Sequence, residues 1–194
     1  MSATLDPTIA PHVRSHTELV LDEITRTVLA VRPDDLAAAA DAIEGARRVF
    51  VLGLGRSGIA LRALGMRLMH LGIEVHIVGE TTTPALGDRD VLVLASGSGT
   101  TASIVRAATT AAAVGASTVV FTTDPTSPAA RDARVVVVVP AAAKTDLASA
   151  ASQQYAGSLF EQSVLVLGDA LFHTLWRRTG APAEELWARH ANLE

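Results

Sequence analysis

The sequence contains no cysteine, which excludes disulfide bonds, zinc–thiolate sites and thiol nucleophiles. It also has no basic excess, because 20 acidic and 16 basic side chains are mixed along 194 residues, so nucleic acid is not an expected partner. No run of roughly 18 uncharged apolar residues is present, and the segment Met1–Leu21 lacks the pattern of a signal peptide, so we expect no membrane span. A cytoplasmic protein is therefore expected.

What is present is an apolar fraction of 49% with 19% charged residues, which is typical of a folded globular chain. Short β-branched runs alternate with stretches of helical length from Arg48 onward, a pattern that predicts an α/β fold with a parallel sheet. The predicted strands are Arg48–Leu54, Ile73–Val78, Asp90–Ala95, Ser117–Thr122 and Arg134–Val139.

Helices are expected on both faces of this sheet and at both ends of the chain. The predicted helices are Thr17–Val31, Pro33–Ala46, Gly58–Leu71, Thr101–Val114, a short one at Pro128–Asp132, Gln153–Arg178 and Pro182–His190. We expect one domain over residues 1–194, with N-terminal helices in 1–47, the sheet core in 48–139 and a loop with C-terminal helices in 140–194.

A glycine-rich loop follows the first predicted strand as Gly53-Leu-Gly55-Arg-Ser-Gly58, and Glu80 stands 22 positions after its last glycine. This spacing matches a dinucleotide-binding fingerprint, whereas the alternative is a tight turn between strand and helix. Arg56 and Ser57 favour the alternative, because a pyrophosphate site uses bare backbone at these positions.

A stronger signal follows the third predicted strand, where Ser96-Gly-Ser98-Gly-Thr100-Thr101 opens a helix. Hydroxyl groups at a helix N-terminus supply converging donors for the oxygens of a phosphate group. The alternative is an exposed serine–glycine turn with a capping threonine. No P-loop lysine accompanies the segment, so a small phosphomonoester is favoured over a nucleoside triphosphate.

Five motifs in the chain resemble those of the 6-phospho-3-hexuloisomerases, a family of sugar isomerase (SIS) domain enzymes. They are Gly55-Arg-Ser-Gly58, Met66-Arg-Leu-Met-His70-Leu-Gly72, Val78-Gly-Glu-Thr-Thr-Thr-Pro84, Ser96-Gly-Ser-Gly99 and Ala188-Arg-His-Ala-Asn-Leu-Glu194. The resemblance implies a three-layer αβα sandwich with a flavodoxin-like sheet, and interconversion of 3-hexulose 6-phosphate and fructose 6-phosphate. It also implies a homotetramer and a functional link to a 3-hexulose-6-phosphate synthase in the ribulose monophosphate pathway of formaldehyde fixation. Moving a ketone from C3 to C2 through a cis-enediol requires neither a metal nor a redox cofactor.

The isomerisation needs a general base, and the resemblance places a catalytic glutamate on the helix that carries Glu161. Glu161 also follows a polar loop, whereas its alternative role is an ordinary first-turn glutamate. His190 is the expected second catalyst, in its own or a neighbouring subunit. The expected substrate-binding residues are Gly55, Arg56, Ser57, Glu80, Thr81, Ser96, Gly97, Ser98, Thr100 and Thr101; Thr100 stands where SIS loops often carry glutamate.

Three other functions are also compatible with these motifs. They are another SIS-domain isomerase acting on phosphoheptose or arabinose 5-phosphate, a non-catalytic sugar-phosphate sensor, and a dinucleotide-dependent oxidoreductase. Apolar residues on the first helix and in the C-terminal segment, including Val28, Val31, Trp187 and Leu193, predict an oligomer, because a peripheral helix buries only one face in its own chain.

Overall fold

Five strands, all parallel, form one sheet in a computed structural model that describes residues 9–142 and 152–193. The strands are β1 (Val49–Gly53), β2 (Val75–Ile77), β3 (Val91–Ala95), β4 (Ser117–Thr122) and β5 (Val135–Val138). Their order is β2-β1-β3-β4-β5, which is the flavodoxin-like arrangement. The α/β prediction is therefore confirmed, and each predicted strand is present within its expected range.

The helices agree with the sequence prediction less closely than the strands do. They are α1 (Ile9–Leu29), α2 (Pro33–Glu44), α3 (Gly55–His70), α4 (Ala102–Ala113), α5 (Ser158–Thr179) and α6 (Ala183–Trp187). Helix α1 begins eight residues before the predicted Thr17. The sequence pattern missed these residues because the side chains at 11–18 are all exposed and form no apolar stripe. Helix α5 begins at Ser158 and not at Gln153.

The short helix predicted at Pro128–Asp132 is wrong, because this segment forms a series of turns. The Ala130 N–H donates to the Ser127 carbonyl, and the Ala133 N–H donates to the Ala130 carbonyl. The Ala129 N–H, however, donates to the carbonyl of Gly99 in another loop. The Ala129 N–H is therefore not available for a hydrogen bond within a helix at residues 128–132. Of the predicted loop at 140–152, residues 143–151 lie outside the described part of the chain.

The two faces of the sheet are covered unequally. Helices α2 and α3 pack on one face, α5 packs against both of them, and α1 packs against α5. Helix α4 covers the other face above a smaller core that includes Phe50 and Ile104. The central strands β3 and β4 are buried on both faces, which is why their sequences are almost continuously apolar.

A buried carboxylate ties together the amino ends of the central strands. Asp90 is 1% exposed and precedes β3. It accepts hydrogen bonds from the guanidinium groups of Arg47 and Arg48, at 2.7–3.3 Å, and from the Gly87 N–H at 2.8 Å. Burial alone would raise the pKa of Asp90, but these hydrogen bonds outweigh it and hold the pKa well below its usual value.

A second buried carboxylate joins α1 to the segment that leads into α5. Glu23 accepts hydrogen bonds from the Ser152 hydroxyl at 2.7 Å, the Gln153 N–H at 2.8 Å and the Gln154 side-chain amide at 3.0 Å. Burial opposes ionisation, but the hydrogen bonds prevail and lower the pKa of Glu23. These bonds also explain why α5 does not begin at the predicted Gln153, because residues 152–154 donate hydrogen bonds to Glu23.

Candidate active site

A small cavity lies at the carboxyl ends of β1 and β3, which are neighbours in the sheet. The chain leaves β1 through α3 on one face and β3 through α4 on the other, so this is the switch point where open α/β sheets bind ligands. The cavity measures about 60 Å³ and is the size of a compact group. Its lining residues are Leu54, Ser57, Ala95, Ser96, Gly97, Ser98, Thr101 and Ile104.

Four of the predicted phosphate-binding hydroxyl groups line this cavity: those of Ser57, Ser96, Ser98 and Thr101. The Ser98 oxygen accepts hydrogen bonds from the Thr100 N–H at 3.3 Å and the Thr100 hydroxyl at 2.9 Å, so its own proton is free to be donated. Thr100 therefore ties the loop to itself, at the position where related loops often carry glutamate. The Thr101 hydroxyl lies 3.2 Å from that of Ser96 and does not cap α4.

Backbone donors add to these hydroxyl groups. Both α3 and α4 begin at this edge of the sheet, and neither carries an acidic residue in its first turn to neutralise the positive helix end. Among the described residues, the N–H groups of Gly97 and Ser98 have no hydrogen-bond acceptor. The cavity thus combines free N–H groups with hydroxyl donors, which is the chemistry of an anion site.

A further loop, which we call the support loop (residues 123–129), follows β4 and packs behind the Ser96–Gly99 loop. The Gly97 carbonyl accepts from the Thr122 hydroxyl at 3.1 Å, the Thr123 hydroxyl at 2.8 Å and the Thr123 N–H at 3.0 Å. The Ala129 N–H donates to the Gly99 carbonyl at 3.0 Å. No motif in the sequence was assigned to this loop, although its hydroxyl residues follow a strand as those of the Ser96–Gly99 loop do.

Glu161 reaches the same edge of the sheet from the first turn of α5. Its carboxylate accepts a hydrogen bond of 2.7 Å from the guanidinium of Arg56, which lies in the first turn of α3. The Glu161 side chain is 10% exposed, whereas that of Arg56 is 62% exposed. The preceding residue, Phe160, packs against Gly97 of the cavity. The structure therefore brings the predicted base beside the predicted phosphate loop.

The glycines between β1 and α3 have a packing role. A Cβ atom on Gly58 would lie 2.5 Å from the Gly53 carbonyl oxygen, so strand and helix touch closely here. Gly55 has φ +56°, a conformation that favours glycine. Close packing and a tight turn account for the GxGxxG pattern, and the dinucleotide interpretation is not needed to explain it.

Glu80 and Thr81 follow β2 at the same sheet edge but do not line the cavity. The Glu80 carboxylate pairs with Arg62 of α3 at 2.6 Å, and both side chains are about half exposed. Thr81 is exposed. The predicted roles of Glu80 and Thr81 stay predictions.

His190 lies at the opposite end of α3 from Arg56. Its ring stacks on that of His70, the last residue of α3, with a centroid distance of 5.2 Å, and contacts Trp187 at 4.7 Å. Helix α3 has 16 residues and so spans about 24 Å, which separates His190 from the cavity of its own chain. Within one chain, the structure does not bring His190 together with Glu161.

The described residues contain no group of three or more histidine, aspartate or glutamate side chains placed to hold a metal ion. None of the helices in the described ranges is both long enough and apolar enough to cross a membrane.

Comparisons with known proteins identify the family of the chain. A family model described as SIS domain matches residues 42–166. A 3-hexulose-6-phosphate isomerase of Mycobacterium gastri is 50% identical over 186 residues, which cover 96% of this chain and 94% of that protein. The 3-hexulose-6-phosphate isomerase of Bacillus subtilis is 34% identical over 176 residues, covering 90% and 95% of the two chains.

A solved structure has the same fold as this chain. The crystal structure of a Methanococcus jannaschii protein, from which a molecular function of 3-hexulose-6-phosphate isomerase was inferred, superposes with a TM-score of 0.80. It is 28% identical, and the match covers 93% of this chain and 99% of that one. The resemblance found in the sequence motifs is thereby confirmed: the chain belongs to the SIS domain family.

Proposed function

We propose that the chain interconverts 3-hexulose 6-phosphate and fructose 6-phosphate. The observation that carries the proposal is the pairing of the mostly buried Glu161 carboxylate with Arg56 beside a cavity lined by hydroxyl groups. The identity of 50% to the Mycobacterium gastri enzyme along nearly the whole chain points to the same substrate. One site then offers a phosphate anchor and a base.

In the proposed reaction, the phosphate group enters the cavity and holds the sugar at a fixed distance from Glu161. The Glu161 carboxylate takes the proton from C2, the electrons of that bond form a C2–C3 double bond, and those of the C3 carbonyl move to O3, giving a cis-enediolate. The hydroxyl proton at O2 then moves to O3, and the protonated Glu161 returns a proton to C3 as the C2 carbonyl forms, so the ketone passes from C3 to C2. Hydrogen bonds from Arg56 orient the base and are available to the sugar oxygens.

A coupled assay tests this function directly. A 3-hexulose-6-phosphate synthase is supplied with formaldehyde and ribulose 5-phosphate, the chain is added, and fructose 6-phosphate is measured. We expect product only when both proteins are present. Turnover of sedoheptulose 7-phosphate or arabinose 5-phosphate in place of the hexulose would identify another SIS isomerase, and saturable sugar-phosphate binding without any turnover would identify a sensor.

The proposal extends to a homo-oligomer, with a tetramer as the expected form, acting in the cytoplasm beside the synthase. Exposed apolar side chains at the two ends of the described chain support it, among them Val13 on α1, Trp187 at 71% exposure and Leu193 at 98%. Of the residues that first suggested it, Val28 and Val31 pack inward, so the exposed set on α1 differs from the predicted one. A neighbouring chain is also the route by which His190 reaches an active site.

The expectation of one domain over residues 1–194 has support from the larger core. That core joins Ala40 of α2, the strands, and Leu171 of α5 in one cluster, so elements from both terminal regions pack with the sheet.

A further inference from the structure

We propose that Thr123 of the support loop is a positioning residue, which orients the Ser96–Gly99 loop so that its N–H groups face a bound phosphate. The inference rests on the phosphate role proposed above for this loop. Thr123 lies outside the cavity lining and is bonded to the loop backbone, so it acts through that loop and not on the substrate.

The Gly97 carbonyl is held by three hydrogen bonds from two consecutive residues. Thr123 supplies two of them, through its hydroxyl at 2.8 Å and its N–H at 3.0 Å. Thr122 supplies the third through its fully buried hydroxyl at 3.1 Å. Three donors converge on this one acceptor and together fix its direction.

The planarity of the peptide bond determines the direction of the Ser98 N–H. The Gly97 carbonyl and the Ser98 N–H belong to one trans peptide unit, so they point in opposite directions. Holding the carbonyl toward the support loop therefore turns the Ser98 N–H away from it. That N–H has no acceptor among the described residues, and Ser98 lines the cavity. The support loop thus leaves a donor free for an anion.

A second attachment fixes the other end of the same loop. The Ala129 N–H holds the Gly99 carbonyl at 3.0 Å, and Gly99 has φ +60°. A Cβ atom on Gly99 would lie 2.0 Å from the Ser127 hydroxyl oxygen, so the two loops touch at this point. Anchors at Gly97 and Gly99 bracket Ser98, and they leave this turn little freedom to rotate its peptide planes.

The test compares the wild type with Thr123→Val, which keeps the shape and removes the hydroxyl. Loss of one hydrogen bond of ordinary strength corresponds to about a three- to tenfold change in an equilibrium constant. We expect KM for fructose 6-phosphate and Kd for inorganic phosphate, measured by calorimetry, to rise by about that factor, with kcat within about twofold of wild type. Thr123→Ser should restore both constants.

Thr126→Val is the matched control, because the Thr126 hydroxyl belongs to the same loop but bonds to the Asp124 carboxylate at 2.6 Å. It should leave KM and the phosphate Kd unchanged. Equal effects of Thr123→Val and Thr126→Val, a fall in kcat at constant KM, or unchanged phosphate affinity in Thr123→Val would each overturn the inference. If Thr123→Val does not fold, Thr123→Ala removes the same bond and is judged by the same criteria.

Failure of the proposed function gives a different result. If the wild-type chain forms no fructose 6-phosphate but binds inorganic phosphate, the isomerase proposal fails while the phosphate Kd of the variants still decides the role of Thr123. If the wild type does not bind phosphate at all, the inference about Thr123 is wrong.

Discussion

Replacing Glu161 by glutamine separates the proposed catalytic contribution of this side chain from its structural one. Glutamine keeps the length and still accepts a hydrogen bond from Arg56, but it carries no charge and cannot take a proton from carbon. The lost ion pair is worth only about 0–1 kcal/mol, because Arg56 is 62% exposed. Loss of a general base costs at least about 10²-fold in turnover, or about 2.7 kcal/mol of barrier. The catalytic effect therefore exceeds the structural one.

We expect kcat of Glu161→Gln to fall at least about 10²-fold, with KM and melting temperature close to wild type. The decisive assay follows exchange of deuterium from C2 of the substrate into solvent, which reports proton removal directly. Asp169→Asn is the matched control, since Asp169 lies on the same helix and its exposed carboxylate faces Arg67 at 3.8 Å. Exchange at the wild-type rate in Glu161→Gln would show that another group is the base.

Three more outcomes are expected. Ser98→Ala removes a hydroxyl donor from the cavity, so affinity for fructose 6-phosphate should fall about ten- to hundredfold in a binding titration while the fold persists; unchanged affinity would remove Ser98 from the site. If His190 serves a neighbouring chain, mixing inactive Glu161→Gln and His190→Ala subunits after dissociation should restore activity, and a verified mixed oligomer without activity would refute a shared site. The pKa of Glu23 is lowered in the folded chain, so its stabilisation is present above the ordinary pKa of an unfolded glutamate and is lost as pH falls through the folded pKa. Urea unfolding of wild type and Glu23→Gln should therefore differ most near neutral pH and converge in acid, and a gap independent of pH would contradict this account.

The parts of the fold that follow from local pattern were predictable from the sequence. The central strands β3 and β4 are buried on both faces, so each appears as an apolar run. The hydroxyl-rich loop after β3 lies beside the loop after β1 because β1 and β3 are neighbours. Ser57, Ser96, Ser98 and Thr101 accordingly line one cavity, as the motif analysis expected. Hydrophobic periodicity did not predict helix where no apolar stripe exists, as in the exposed first half of α1.

Contacts between distant residues were not predictable in the same way. Arg56 and Glu161 are 105 positions apart, and Glu23 meets Ser152 across 129 positions, so no local spacing signals either pair. The short helix expected at Pro128–Asp132 failed for a related reason, since the Ala129 N–H is used by a carbonyl in another loop. The docking of His190 on His70 likewise depends on how the terminal segment packs.

The Asp90 cluster and the candidate active site occupy opposite edges of one sheet, and this separation has an evolutionary consequence. We expect substitutions near Arg47, Arg48 or Asp90 to change the resistance of the fold to unfolding, and substitutions in the loops at the carboxyl edge to change ligand selection. The residues expected to govern these two traits do not touch. A lineage can remodel its loops for a different phosphosugar while the ion-pair cluster preserves the scaffold, and a laboratory library confined to the carboxyl edge should retain folded members at a high rate.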